Sequence, residues 1–176
     1  LAMSDYNLAA KLSGGRSCST KQALAVAAEV LTRPELFGEL FGGLAHENSL
    51  TRMRAAYALA KVADARPELL APYKDRFIDR LADPNNSHLC RACLLQTLHK
   101  FALTADDIDL LTDMLRDFMH SESSIVKTFS LQLLVDFAAM DESLRPEIMP
   151  LLWNALERGT PAMRARSRKL LKKYKL

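Results

Sequence analysis

Apolar residues recur along almost the whole chain at spacings of three and four, the period of an amphipathic helix. No stretch sustains the every-second-residue alternation of a half-buried strand between hairpin turns. Seven prolines (Pro34, Pro67, Pro72, Pro84, Pro146, Pro150 and Pro161) punctuate the pattern. Most stand where a helix begins or a loop turns, positions at which the missing N–H is not needed. The pattern predicts helices over about 4–12, 19–32, 34–45, 50–64, 68–82, 87–102, 105–119, 123–140, 144–157 and 161–175.

The later helix of each successive pair repeats itself. Thr51–Ala63, Cys90–Ala102, Val126–Ala138 and Met163–Lys175 share a register in which the second position is basic (Arg52, Arg91, Lys127, Arg164). The ninth is leucine (Leu59, Leu98, Leu134, Leu171). The intervals are 39, 36 and 37 residues, and a fainter copy begins at Thr20–Lys21. An Arg-Pro-Glu-Leu/Ile tag recurs at Arg33, Arg66 and Arg145, ahead of the earlier helices. Such periods signify stacked helix pairs, none large enough to close a core alone.

This pattern resembles the HEAT repeats of the armadillo-like superfamily, whose second helix reads roughly Val-Arg-x-x-Ala-x-x-Ala-Leu-Gly-x-Ile-Gly. Arg52, Ala55, Ala58, Leu59 and Val62 match it best, and Val126–Lys127 and Met163–Arg164 match its opening. The resemblance spans about residues 20–176. It implies an all-α, right-handed α-α superhelix of four to five helix pairs. That is a single HEAT-like domain over 1–176, with repeats at about 4–32, 34–64, 67–103, 105–140 and 144–175. The family's acidic residue before the basic position is mostly missing. The turns read His46-Glu-Asn48, Ser121-Glu-Ser123 and Arg158-Gly-Thr160, and only Asp83-Pro84 is typical.

The resemblance assigns positions one, four, eight, nine and twelve of the second helix to the interior. Positions seven and eleven go to the concave face: Val26, Tyr57, Gln96, Gln132 and Lys169, with Val30, Lys61, Lys100, Asp136 and Lys173. The candidate partner-binding strip is Tyr57, Lys61, Gln96, Lys100, Gln132, Asp136, Lys169 and Lys173. An aromatic among amides and lysines suits a peptide or protein groove, although lysines there also serve simply as solvated residues.

Composition changes this picture little; charge changes it more. Apolar residues at 49% and charged residues at 26% exclude wholesale disorder. The net charge of +3 is uneven: seven of the 24 Lys and Arg lie between Arg164 and Leu176 with no acid, leaving 17 against 21 acids elsewhere. Arg164, Arg166, Arg168, Lys172 and Lys175, with Lys169 and Lys173, form either a polar end cap or contacts for phosphates or an acidic partner. No apolar run is long enough for a membrane span. Three cysteines (Cys18, Cys90, Cys93) are too few for a disulfide scaffold, which favours a reducing cytoplasm.

Catalytic chemistry is sparse. Cys90-x-x-Cys93, after His88, has no second ligand pair for zinc and lies inside a helix rather than after a strand, so both cysteines read as core. His46, His88, His99 and His120 show no i, i+4 pair, and neither a metal nor a cofactor is expected. Asp106, Asp109, Asp113 and Asp117 share one helix face, read as solvated. Gly38 and Gly42 read as clearing a face for tight helix packing, and Trp153 falls on an outward, pair-leading helix. The expected function is a non-catalytic protein-binding scaffold or adaptor. The alternative is a nucleic-acid-binding protein using the basic C-terminal helix.

Overall fold

The computed structural model describes residues 7–14 and 20–176. Cys18 and the first part of the expected helix at 4–12 lie outside the described residues. Among those residues the protein is all-α: α1 (Leu8–Leu12), α2 (Lys21–Thr32), α3 (Phe37–Gly42), α4 (Ser49–Ala65), α5 (Lys74–Ala82), α6 (His88–Thr97), α7 (Ala105–Phe118), α8 (Ser124–Met140), α9 (Arg145–Arg158) and α10 (Pro161–Tyr174). The chain divides into two compact units, Leu1–Ala102 and Leu103–Leu176.

Helix starts follow capping chemistry. The Asn48 side-chain oxygen accepts the amides of Leu50 and Thr51 at the head of α4. Ser87 caps α6 by accepting from the Cys90 amide. Thr104 and Asp107 form a reciprocal capping box on α7, and Thr160 with Pro161 starts α10. The Arg-Pro-Glu tag acts as a local clamp. Arg33 Nε lies 3.2 Å from Glu35 and Arg66 Nε 2.6 Å from Glu68, two residues on. The Arg66 hydrogen bond holds the Glu68 carboxyl below its usual range. The third copy differs: Arg145 donates to the Ala138 carbonyl and pairs with Glu142 at 3.2 Å.

Three expected helices are broken. Residues 34–45 split into 3-10 turns at Pro34–Leu36 and Gly43–Ala45 flanking α3. Pro72, without an N–H and crowding the preceding turn, delays α5 to Lys74, behind 3-10 turns at Pro67–Leu69 and Ala71–Tyr73. After Thr97 the chain tightens into a 3-10 turn, and Phe101 becomes extended and packs on Phe77 at 4.9 Å between ring centroids.

In the first unit α4 lies between α2 and α6, with α3 and α5 alongside. Ala55, Ala58, Leu59 and Val62 of α4 are wholly buried, so the interior positions of the repeat hold there. The faint first copy is one residue out of register. Val26 and Val30, expected to face outward, are 1% and 0% exposed, while Leu24 is 46% exposed. Position four also departs from an apolar interior slot. Arg54 is fully buried, whereas Cys93, Phe129 and Arg166 are half-buried.

Arg54 secures α1, a helix of five residues that is too short to persist alone. Its guanidinium donates to the carbonyls of Leu12 at 2.8 Å and Gly14 at 2.5 Å. Gly14 has φ of +78°, a left-handed conformation that glycine adopts without strain. At the other end of α1 the Glu39 carboxylate accepts the Leu8 amide at 2.6 Å, while in its last turn Lys11 pairs with Glu29 at 2.8 Å.

The glycine pair at 38 and 42 behaves asymmetrically. A Cβ on Gly38 would lie 3.1 Å from the Tyr73 hydroxyl, whereas one on Gly42 meets nothing within 4 Å. The second close approach belongs to Gly43, where a Cβ would stand 3.0 Å from that of Ala55.

Two members of the basic column, Arg52 and Arg91, donate to main-chain carbonyls. Arg52, 8% exposed, donates to the carbonyls of His46 (2.7 Å) and Glu47 (2.9 Å) and to that of Asn85 in the next turn (2.6 Å). Arg91 donates to the Asp83 carbonyl at 2.8 Å. In the second unit α7 packs on α8, α8 on α9, and α10 on both α8 and α9.

Candidate functional site

The second helices place outward residues at positions seven and eleven, and in the first unit these converge. Tyr57, Ala60, Lys61 and Asp64 of α4 face Cys93, Gln96 and Thr97 of α6, with His99 just beyond, across a groove of about 180 Å³. The Lys61 ammonium lies 5.4 Å from the centroid of the Tyr57 ring. Lys100 reaches Asp64 at 3.0 Å, so part of the expected positive charge is neutralised within the strip. The Gln96 amide donates back to the Ala92 carbonyl at 3.3 Å. Tyr57, Lys61 and Gln96 therefore line one groove, and Lys100 joins them through Asp64. Asp64 and His99 were missed; Asp64 sits one turn beyond Lys61 on the same helical face, and extending the register by that turn finds it.

In the second unit the corresponding residues pair with each other. Lys173 lies 2.9 Å from Asp136, and the Tyr174 hydroxyl donates to the same carboxylate. The hydrogen bonds to Tyr174 and then Asp136 hold the Lys173 ammonium above its usual range. Gln132 accepts from Arg166, whose guanidinium stands 5.2 Å from the centroid of the Phe129 ring. Near the first turns of α8 and α10 a larger groove, about 400 Å³, is lined by Ser124, Ile125, Thr128, Phe129, Ala162, Ala165, Arg166 and Lys169. Sequence reasoning assigned Lys169 to the strip and Arg166 to the terminal basic set; the two share this groove.

The terminal basic residues divide along two flanks of α10, on either side of its buried Met163, Ser167 and Leu170. Arg166, Lys169 and Lys173 lie on the α8 side. Arg164, Arg168 and Lys172 occupy the other flank, Lys175 follows as the left-handed C-cap, and none of the four forms an ion pair with another described residue.

The two cysteines are sheltered from solvent to different degrees. Cys90 is wholly buried, and its thiol faces the Arg52 carbonyl at 3.7 Å and the Asn86 side-chain oxygen at 3.4 Å. Burial pushes the Cys90 thiol up to about 12 and that of Cys93 to about 11, the opposite of an activated nucleophile. Cys93 corrects the expectation that both are interior: it is half-buried and lines the α4–α6 groove. Among the described residues no group of three or more His, Cys, Asp or Glu side chains is placed to hold a metal ion. His46 and His120 sit in inter-helix turns, and Asp106, Asp109, Asp113 and Asp117 of α7 are all exposed. Trp153 on α9 is 44% exposed. No helix among the described residues is long and apolar enough to cross a membrane.

Comparison with curated proteins and with solved structures returned no match. The description of the HEAT repeat domain, a repeat that generally serves as a protein-interaction scaffold, matches residues 9–174. With that match across nearly the whole chain, and with its paired helices and basic column, the chain belongs to the HEAT repeat domain family.

Proposed function

We propose that this protein is a non-catalytic protein-binding scaffold or adaptor that engages a protein or peptide through the exposed face of its second helices. The observation that carries the reading is the convergence of Tyr57, Lys61 and Gln96 on a single groove between α4 and α6. Tyrosine supplies a large, rigid contact area at low entropic cost, and the half-buried Tyr57 is the anchor. Lys61 and Lys169 steer an acidic partner and raise its on-rate, with Gln132, the Lys100–Asp64 pair and the Lys173–Asp136 pair as polar contacts. The free thiols of Cys90 and Cys93 support a reducing compartment, the cytoplasm.

The test is nuclease-treated affinity capture with the wild-type protein and a Tyr57→Ala/Lys61→Ala/Lys100→Ala variant. A protein retained by the first and lost by the second supports the reading. A partner whose binding ignores all three substitutions overturns it.

A second reading rests on the unpaired flank of α10. Arg164, Arg168, Lys172 and Lys175 are free to contact phosphates, with Arg166 as a further candidate on the α8 side. Binding to duplex DNA through four cations would fall with salt at a log–log slope of about −3.6. Binding that holds between 50 and 300 mM salt, or survives Arg168→Ala/Lys172→Ala, excludes this reading.

A further inference from the structure

The larger groove, at the first turns of α8 and α10, has chemistry unlike that at α4 and α6. Its floor and walls are apolar: Ile125 and Phe129 on one side, Ala162 and Ala165 on the other. The Thr128 hydroxyl donates to the Ser124 carbonyl at 2.7 Å, and the Ser124 hydroxyl is shared with that of Thr160 at 2.6 Å. The hydroxyls at the groove are therefore already engaged. Two cations, Arg166 and Lys169, line it, and no acid does. Arg166 is held against Phe129 and Gln132, while Lys169 is exposed and forms no ion pair with another described residue. Both helices begin at this end, and their N-terminal amides add positive potential to that of the side chains.

An apolar trough with a purely cationic rim is complementary to a ligand that joins an apolar anchor to carboxylates. The cations are three residues apart on α10, a rise of about 4.5 Å, which matches carboxylates on consecutive turns of an incoming helix. The alanines at 162 and 165 keep one wall low and the trough open to a side chain arriving from solvent. We propose that the α8–α10 groove binds an acidic amphipathic helix. An aliphatic or aromatic side chain of that helix is seated between Phe129 and Ala165, and its carboxylates meet Arg166 and Lys169. This rests on the reading of the chain as a protein-binding scaffold and specifies the chemistry of a second contact region, separate from Tyr57.

The experiment uses the full chain and a set of synthetic helix-forming 16-residue peptides. Each carries Leu or Phe anchors one turn apart and Glu pairs at i, i+3 or i, i+4. Each has a twin with Gln for Glu and another with Lys for Glu. Fluorescence anisotropy is expected to show at least one Glu peptide binding about ten-fold more tightly than its Gln twin, the scale of one charge-assisted contact. Ala165→Trp, a substitution at an exposed position that fills the trough, is expected to abolish that binding. Lys169→Glu is expected to reverse the preference toward the Lys twin, which a purely structural role for Lys169 would not do. Circular dichroism checks that both variants are folded. The inference is overturned if no Glu peptide outbinds its twin, if Ala165→Trp leaves affinity unchanged, or if Lys169→Glu weakens all twins equally. It is also overturned if oleate titrates the site while every peptide fails. A partner that depends on Tyr57 and ignores Ala165→Trp removes this inference and leaves the scaffold reading standing; a partner that ignores both removes both.

Discussion

Arg54→Met replaces a fully buried cation with an apolar side chain of similar length, and the energetic consequence is set by what Arg54 holds. Among the described residues its guanidinium donates charge-assisted hydrogen bonds to Leu12 O at 2.8 Å and Gly14 O at 2.5 Å. Such bonds contribute about 1.5–3 kcal/mol each. Gly14 is exposed, so water replaces much of that bond. Leu12 is wholly buried, and its carbonyl is left without this donor. Relief from burying a charge offsets part of the loss. The expected net destabilisation is about 2–4 kcal/mol. At a urea dependence of about 2 kcal/mol per molar, the midpoint should fall by about 1–2 M with the slope unchanged. Arg54→Lys keeps the charge but reaches one carbonyl rather than two, and should lose about half as much. Hydrogen exchange adds the local readout: the amides of α1 should lose protection in Arg54→Met before those of α4. A midpoint within about 0.2 M of wild type, together with unchanged protection of α1, would refute the claim that Arg54 secures this helix.

Gly159→Ala should cost about 1–3 kcal/mol, because its Cβ would lie 2.3 Å from the Ala155 carbonyl oxygen and 2.9 Å from the Met163 Cβ; a thermal melt matching wild type contradicts this. Replacing both Cys90 and Cys93 with Ala should cost about 1–3 kcal/mol in urea titrations, as for small buried side chains; no loss contradicts their packing role. The thiols also predict a pH dependence. An unfolded cysteine titrates near 8.5, whereas Cys90 stays protonated to about 12 when folded, so stability is full below the unfolded value and falls as pH rises beyond it. In a Cys18→Ser background, urea midpoints at pH 7.5 and 9.5 should drop more steeply with Cys90 and Cys93 present than in the double alanine variant; equal drops contradict the shift. Arg52→Ala should cost about 2–4 kcal/mol through three lost carbonyl bonds, while Asn85→Ala should stay within about 0.5 kcal/mol, because Arg52 grips the main chain there; equal losses in the two melts contradict that contact.

Local periodicity carried most of the fold. Thr51–Ala63 set the register correctly because its alanines, leucine and valine alternate sharply with polar residues over three turns. In α2 that contrast fails. A run of Ala and Val around Glu29 offers similar side chains on both faces, so the periodicity turns Val26 and Val30 outward by a one-residue shift although both are buried. Arg54 was illegible for another reason: its partners are 42 and 40 residues away in sequence, and no local pattern reports a carbonyl arriving from that distance. The strip at Tyr57, Lys61 and Gln96 followed from register alone. The α8–α10 groove did not, because it arises from relative size across two helices, with Ala162 and Ala165 standing opposite Phe129 and Ile125.

Arg52 fastens one inter-helix turn to the next by gripping peptide oxygens at His46, Glu47 and Asn85. Every amino acid presents that oxygen, so the joint is indifferent to which side chain the turn carries. A carboxylate ladder would oblige each turn to keep an acid; a main-chain grip asks only for the turn's shape. Turns built this way are free to drift in composition, to exchange charge, or to acquire a recognition residue while the joint persists. Variation in this protein can therefore accumulate at its turns with little consequence for this joint, and a designer grafting new sequences onto 46–48 or 83–86 would have to preserve backbone geometry, Arg52, the Asn48 cap of α4 and the buried Asn86 side chain.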